Sequence, residues 1–198
     1  MACKRSCIAI LSAGLVLGLW ASTGLAKNPV TSPGVSLSER VKTLLTAISF
    51  HKSKGMREPG PFVIALVSDP NAPRELVEQA HAAFDRHKKI KVGRKPIKVI
   101  ELVYEDGPKF KAALLKASVD AVYISADSRR VTRQVLNVTR EIKILSITAV
   151  ADYVHRLGAS VGVESRAGKA KLLINLSSCK NEGVEFDARL LRLASVYF

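Results

Sequence analysis

Hydrophobic positions in the middle of the chain alternate between two periods. Apolar-rich stretches at Phe62–Val67, Ile97–Val103, Ala121–Ile124 and Ile142–Ile147 read as strands, and the first, an unbroken apolar run, as a buried one. Between them lie segments with helical spacing: Pro73 to about His87, Pro108–Ala117, Arg129–Thr139 and Ala149–Arg156. Pro73 and Pro108 open two of these, where a first-turn proline gives up no helical hydrogen bond. An earlier helix is predicted from the capping-box pattern Ser36-x-x-Glu39 to about Phe50, with Val41, Leu44, Leu45 and Ile48 on one stripe. Strands alternating with helices of this length predict βαβ units and a mainly parallel sheet covered on both faces.

The last forty-odd residues break that alternation. Ala159–Glu164 and Lys171–Asn175 read as two strands joined by a basic turn, Ser165–Lys169, in which Gly168 supplies a positive φ. A short helix capped by Ser177 or Ser178 and stopped by Gly183 is predicted next. Asp187 then caps Ala188–Ser195, on which Leu190, Leu191 and Ala194 make an apolar face with Arg189 and Arg192 off it. The fold class expected is therefore α/β: one three-layer, flavodoxin-like domain with a mainly parallel sheet, ending in an antiparallel hairpin and short C-terminal helices.

The first 26 residues change the picture. Lys4 and Arg5 precede an uncharged apolar run, Ile8–Trp20, and Gly24-Leu25-Ala26 fits the small-x-small cleavage rule. The run falls short of the roughly 20 apolar residues of a membrane span. Residues 1–26 are thus expected to be a cleaved signal peptide, 27–35 a Pro/Gly/Ser/Thr tether and 36–198 the folded domain, exported to the periplasm. Two of the three cysteines, Cys3 and Cys7, fall in the leader, leaving Cys179 with no internal partner. It is expected as a buried free thiol or as one half of a bridge between subunits.

The chain of 198 residues has a formal net charge of +14, and removing Lys4 and Arg5 leaves +12. That excess favours anionic partners such as a membrane or cell-wall surface. The basic residues run from Lys27 to Arg192 without gathering into one arm, and aromatic residues show no stacking motif, which argues against nucleic acid.

Catalytic and metal-binding patterns are largely missing. The span from Gly162 to Lys169 has one residue too many for a phosphate-binding loop and alanine where Ser or Thr should hold magnesium. His51, His81, His87 and His155 are scattered, with no cysteine pair beside them, so no metal site and no cofactor is expected. No G-x-S-x-G elbow precedes a helix. One constellation points to binding. In parallel sheets ligands sit beyond the carboxyl ends of the strands, and those ends carry Ser68, Asp69, Ser125, Asp127 and Thr148. They form a candidate crevice for a small polar ligand; turn-making and helix capping are the competing roles for the same side chains.

The C-terminal order of motifs carries a family resemblance. Gly158, the Val161-Gly162-Val163 strand, Gly168-Lys169, Ile174-Asn175-Leu176, Gly183, Phe186, Leu190-Leu191, Leu193-Ala194 and Val196 resemble the signature of the YfiR/HmsC-like family of bacterial periplasmic proteins. A weaker resemblance runs back to about Phe62. It implies a non-enzymatic regulator that binds the periplasmic part of a membrane diguanylate cyclase and holds it inactive, in cyclic di-GMP and biofilm signalling. An outer-membrane lipoprotein and a second copy of the chain are further partners implied by the family, whose disulfides this chain lacks the cysteines to form. Arg189 and Arg192 are the candidate partner surface. The alternative is a small-ligand-binding or sensor component, similar to half of a periplasmic binding protein, serving a transporter, receptor or histidine kinase.

Overall fold

The computed structural model describes residues 34–52 and 60–198; the leader, most of the tether and the interior of the basic loop after His51 lie outside them. The chain runs through α1 (Leu37–Ile48), β1 (His51–Lys52), β2 (Phe62–Ser68), α2 (Glu75–Arg86), β3 (Lys91–Val92), β4 (Lys95–Val103), α3 (Gly107–Lys116) and β5 (Ala121–Ile124). It continues through α4 (Thr132–Ile142), β6 (Leu145–Thr148), β7 (Val161–Arg166), β8 (Lys169–Asn175), α5 (Leu176–Asn181), β9 (Glu185–Phe186), α6 (Ala188–Leu191) and β10 (Ser195–Tyr197). A 3-10 turn at Ala126–Arg130 follows β5, and a π-helical turn at Tyr153–Leu157 follows β6.

Eight strands form one sheet in the order β10-β8-β7-β6-β5-β2-β4-β3. Its five middle strands are parallel and have the flavodoxin-type order, in which the first strand lies between the second and the third. The hairpin β7–β8 is antiparallel, β10 lies parallel to β8 at one edge, and β3 pairs antiparallel with the start of β4 at the other. All seven residues of β2 are buried. One face of the sheet packs Phe62, Ile64, Leu66 and Tyr123 against α1 and α2. The other packs Val63, Ala65, Val67 and Ile124 against Phe110 and Leu114 of α3 and Val135 and Leu136 of α4. These two apolar layers explain why the central strands β2 and β5 are apolar on both faces.

Local chemistry sets the element ends. Ser36 and Glu39 form the reciprocal capping box expected of them, and Asp106 caps α3 ahead of Pro108. The hairpin turn is the two-residue Ala167-Gly168, with φ of 49° and 72°, the mirror-image geometry that matches strand twist. Gly162 is needed for a different reason: a Cβ there would lie 2.4 Å from Cγ2 of Val154, so its absence lets the π-helical turn seat on β7.

Four expectations are corrected. The helix placed at Arg129–Thr139 starts and ends three residues later, because the 3-10 turn precedes it and the chain reverses only at Lys143, φ 60°. Asn175, not Ser177 or Ser178, caps α5, its Oδ1 accepting from the Ser178 amide at 3.0 Å. The helix after Asp187 is a single turn. Leu190 is buried and Leu191 half-buried, whereas Leu193 is 79% exposed and the chain goes on into β10 instead of a further helical turn. The strand expected at Ile142–Ile147 is Leu145–Thr148.

One buried carboxylate ties the C-terminal half together. Glu182, immediately after α5, accepts from Thr139 Oγ1 of α4 at 2.7 Å, the Ser146 amide of β6 at 2.8 Å and Ser160 Oγ ahead of β7 at 2.5 Å. Burial pushes this carboxyl above its ordinary 4.5, and the hydrogen-bond donors around it pull in the other direction. The folded protein therefore holds the Glu182 proton more tightly than the unfolded chain. The resulting stability is fully present below the unfolded value of 4.5 and is lost as pH rises through the higher folded value. In denaturant titrations across that range, the stability of the wild type relative to Glu182→Gln is expected to decline as pH rises. A difference that stays constant with pH would contradict the shift.

Candidate functional site

The strand order reverses between β2 and β5, and open α/β sheets bind ligands beyond the carboxyl ends of strands at such a point. Ser68 and Asp69 end β2 there, Ser125 and Asp127 follow β5, and Thr148 ends the neighbouring β6. The fold thus gathers the five predicted crevice residues at one pole of the sheet, with Thr148 a strand further from the reversal.

Their hydroxyl groups are largely occupied by the main chain. Ser128 Oγ donates to the Val67 carbonyl at 2.8 Å. Ser125 Oγ lies 2.9 Å from that same oxygen and also contacts Asp127 Oδ1, so the end of β5 is laced to β2. Thr148 Oγ1 donates to the Ile124 carbonyl at 2.8 Å and accepts from the Val150 amide at 3.1 Å. Asp69 makes an Asx turn, its Oδ1 accepting from the Asn71 amide at 2.9 Å. The second carboxylate oxygens differ. Oδ2 of Asp69 and Oδ2 of Asp127 are buried without a hydrogen-bond donor among the described residues, and the Arg130 Nε is 4.0 Å from the former. A buried acceptor left without a donor is unfavourable by about 1–3 kcal/mol.

A cavity of about 450 Å³ opens beyond the ends of β5, β6 and β7, and none of the five predicted residues lines it. Its wall includes Arg40, Arg129, Asp152, Tyr153 and Glu164. Arg40 Nη1 donates to the Ala149 carbonyl at 2.9 Å, fastening α1 to the loop after β6, while its buried Nε has no acceptor among the described residues. Tyr153 donates to the Ala126 carbonyl at 2.9 Å, and burial raises its pKa, so it remains a donor at neutral pH. Sequence reasoning passed over Arg40, yet a signal was there: it lies four residues before Leu44, at the margin of the apolar stripe of α1.

The remaining predicted residues are structural or lie on the surface. Gly158 ends the π-helical turn in the left-handed region. Ile174 and Phe186 are buried, Asn175 caps α5, Gly183 has φ 69°, Val196 is half-buried and Lys169 is exposed. Arg189 and Arg192 are both exposed, and Arg189 makes a two-point pair with Asp187 at 3.0 and 3.2 Å. Cys179 is a free, buried thiol, its pKa pushed up to about 12 by burial. His51 is buried, its Nδ1 2.8 Å from the Ile48 carbonyl, and burial lowers its pKa. Among the described residues no three metal-ligating side chains cluster, and no helix is long and apolar enough to cross a membrane.

A second groove, about 610 Å³, lies between α1 and the hairpin. Lys42, Lys169, Lys171, Leu190 and Leu193 line it, together with Glu39. It sets an exposed leucine among lysines.

The family model described as YfiR/HmsC-like matches residues 43–195. Among curated protein sequences none matches the chain. Solved structures supply the fold. A conserved domain protein from Vibrio cholerae matches at TM-score 0.56 with 14% identity, over 83% of this chain and 60% of that one. The ABC domain of a Streptococcus pneumonia protein in complex with L-Trp matches at 0.53 with 12% identity, over 82% and 60%. A ligand-free, open substrate-binding protein with adhesive properties from Clostridium difficile matches at 0.54 with 14% identity, over 82% and 59%. The chain spans about 60% of the length of these structures.

Proposed function

The chain belongs to the YfiR/HmsC-like family of periplasmic regulatory proteins, and from that premise we propose that it works by binding, holding a membrane diguanylate cyclase in its inactive state. Repression of this kind needs only a difference in affinity for two states of the receptor. The observation that carries the reading is the groove between α1 and the hairpin. Leu193, 79% exposed, stands there among Lys42, Lys169 and Lys171, a surface suited to an acidic segment with an apolar anchor. Arg189 and Arg192 sit on the same C-terminal stretch and extend its positive field.

An affinity pull-down with the protein, from detergent-solubilised membranes of its own source, tests this directly. A membrane diguanylate cyclase is expected in the eluate, and cyclic di-GMP synthesis by it should fall when the protein is added. Arg189→Glu, Arg192→Glu and Lys171→Glu should each weaken the complex by up to about tenfold, chiefly through slower association, while leaving the melting temperature in place. Recovery of a transporter or outer-membrane receptor with no cyclase would overturn the proposal. Full affinity in all three variants would remove this groove from it.

A second reading rests on the cavity beyond β5, β6 and β7. Its volume lies within the range of small-molecule sites, about 300–1,000 Å³, and its wall carries two arginines and two carboxylates. Such a wall fits a zwitterion of amino-acid size, and one structural neighbour was solved with L-Trp. Titration calorimetry with a panel of amino acids is expected to give a bound member whose affinity drops at least about tenfold in Arg40→Met, the loss of one charge-assisted contact. Binding left intact in that variant would refute the cavity as the site.

A further inference from the structure

Basic residues occur along the whole chain, yet one stretch concentrates them. Residues 86–100 hold seven lysines and arginines and no aspartate or glutamate. They cover the end of α2, the β3–β4 hairpin and the first half of β4, at the terminal strand of the sheet. Val92 is buried and Ile90 packs against the core, so the hairpin is fixed to the domain. Strand alternation then turns Lys91 outward. Gly93, φ 63°, and Arg94 form the two-residue turn. The pairing of Lys91 with Pro96 sets Lys91 and Lys98 on one face of the sheet. Arg86, Lys88 and Lys89 end or follow the helix that covers the other face. Positive charge therefore wraps the outer corner of the sheet from both sides.

Local roles account for only part of this. Basic residues at a helix C-terminus complement its dipole, which gives Arg86, Lys88 and Lys89 a use but leaves Lys91, Arg94 and Lys98 without one. Elsewhere on the surface bases are paired: Arg74 with Glu101, Lys109 with Glu105, Arg156 with Asp152 and Arg189 with Asp187. Arg86, Lys88, Lys89, Lys91, Arg94 and Lys98 are exposed and have no acidic partner among the described residues. Crowded like charges repel and destabilise the fold. That repulsion is relieved when anions gather at the corner.

The kind of anion follows from the shape. Neither the cavity nor the groove described above is lined by any of these six residues, so they do not surround a small ligand there. The stretch has no Phe, Tyr or Trp on which a base could stack. We propose that this corner docks on an anionic phospholipid bilayer, with its lysines and arginines set among the headgroup phosphates. A corner charged on both sides meets phosphates on both sides when it sits in a headgroup layer. Each basic group held near such a surface adds its own attraction, which fades beyond about 8 Å at physiological salt. The proposal does not rest on the cyclase reading and uses none of the groove residues.

Co-sedimentation of the purified protein tests it, with vesicles of equal parts phosphatidylglycerol and phosphatidylcholine set against vesicles of phosphatidylcholine alone. The protein is expected to bind the first at low salt, to leave them as salt rises, and to ignore the second. Lys88→Gln, Lys89→Gln and Lys91→Gln combined should weaken binding about a hundredfold, from roughly fivefold for each charge removed. That variant should melt no lower than the wild type, because it thins a crowd of like charges. Arg133→Gln, Arg166→Gln and Lys180→Gln combined remove the same net charge from α4, β7 and α5, and should leave binding within about threefold. An equal loss in both variants would assign the attraction to net charge and overturn the corner. Binding to phosphatidylcholine alone would make the attachment apolar and refute the proposal. Displacement by inorganic phosphate beyond that by chloride at matched ionic strength would replace the bilayer with a free-phosphate site. No binding to phosphatidylglycerol at any salt would also overturn it, and retention on a sulfated-glycan resin would then give the corner to a polyanionic glycan.

Discussion

The C-terminal half of this protein depends on a buried carboxyl group, that of Glu182, which has no cation paired with it among the described residues. Glu182 draws its donors from α4, β6 and the segment before β7, three elements that share no local sequence. The second strand of the hairpin runs in reverse, and only the short helical turn Tyr153–Leu157 leads into the hairpin from β6, so this end of the sheet needs a further hold. The Glu182 side chain supplies that hold, and its surroundings reinforce it: Ser146 Oγ accepts from the Ser160 amide at 2.9 Å, and Lys143 Nζ donates to the Asn181 carbonyl at 2.7 Å. A buried acid satisfied by an amide and two hydroxyls is not a loose charge; Oε2 has two of these donors and Oε1 only Thr139, so removing the Thr139 hydroxyl leaves a desolvated oxygen.

The same economy of donors governs the pole where the parallel strands end. Hydroxyl groups that a catalytic site would leave poised instead bind carbonyls: Ser125 and Ser128 both reach Val67, and Thr148 reaches Ile124. Each bond joins neighbouring strands at or just past their last ladder pair and so fastens the strand ends to one another. Oδ2 of Asp69, Oδ2 of Asp127 within the Ala126–Arg130 turn, and Nε of Arg40 are the exceptions, buried without a partner among the described residues.

Much of the fold was legible because β2 and β5 are unbroken apolar runs and α1, α2 and α3 begin with a cap or shortly after a proline. The alternating core, the hairpin and the capping box all follow from short-range patterns. What was not legible depends on distance along the chain. Glu182 looked like an ordinary surface acid, since its partners lie 22 to 43 residues away. The two-residue ladder of β1 with β9 is too short for any periodicity. β10 was masked by the helical spacing of Leu190, Leu191 and Ala194, which ends after one turn once β8 offers an edge to pair with. At the site, the ends of strands were readable from topology alone. The cavity was not, because Arg40 arrives from a helix that precedes the whole sheet.

The topology itself makes the two ends of the sheet unequal. In this strand order the second parallel strand, β4, must lie at the border of the parallel block, and only the short β3 stands outside it. At the opposite end the chain returns on itself three times, with β7, β8 and β10, and lays α5 and α6 beside them. The lysine-rimmed groove belongs to that returning end and is separated from β4 by β2, β5, β6 and β7.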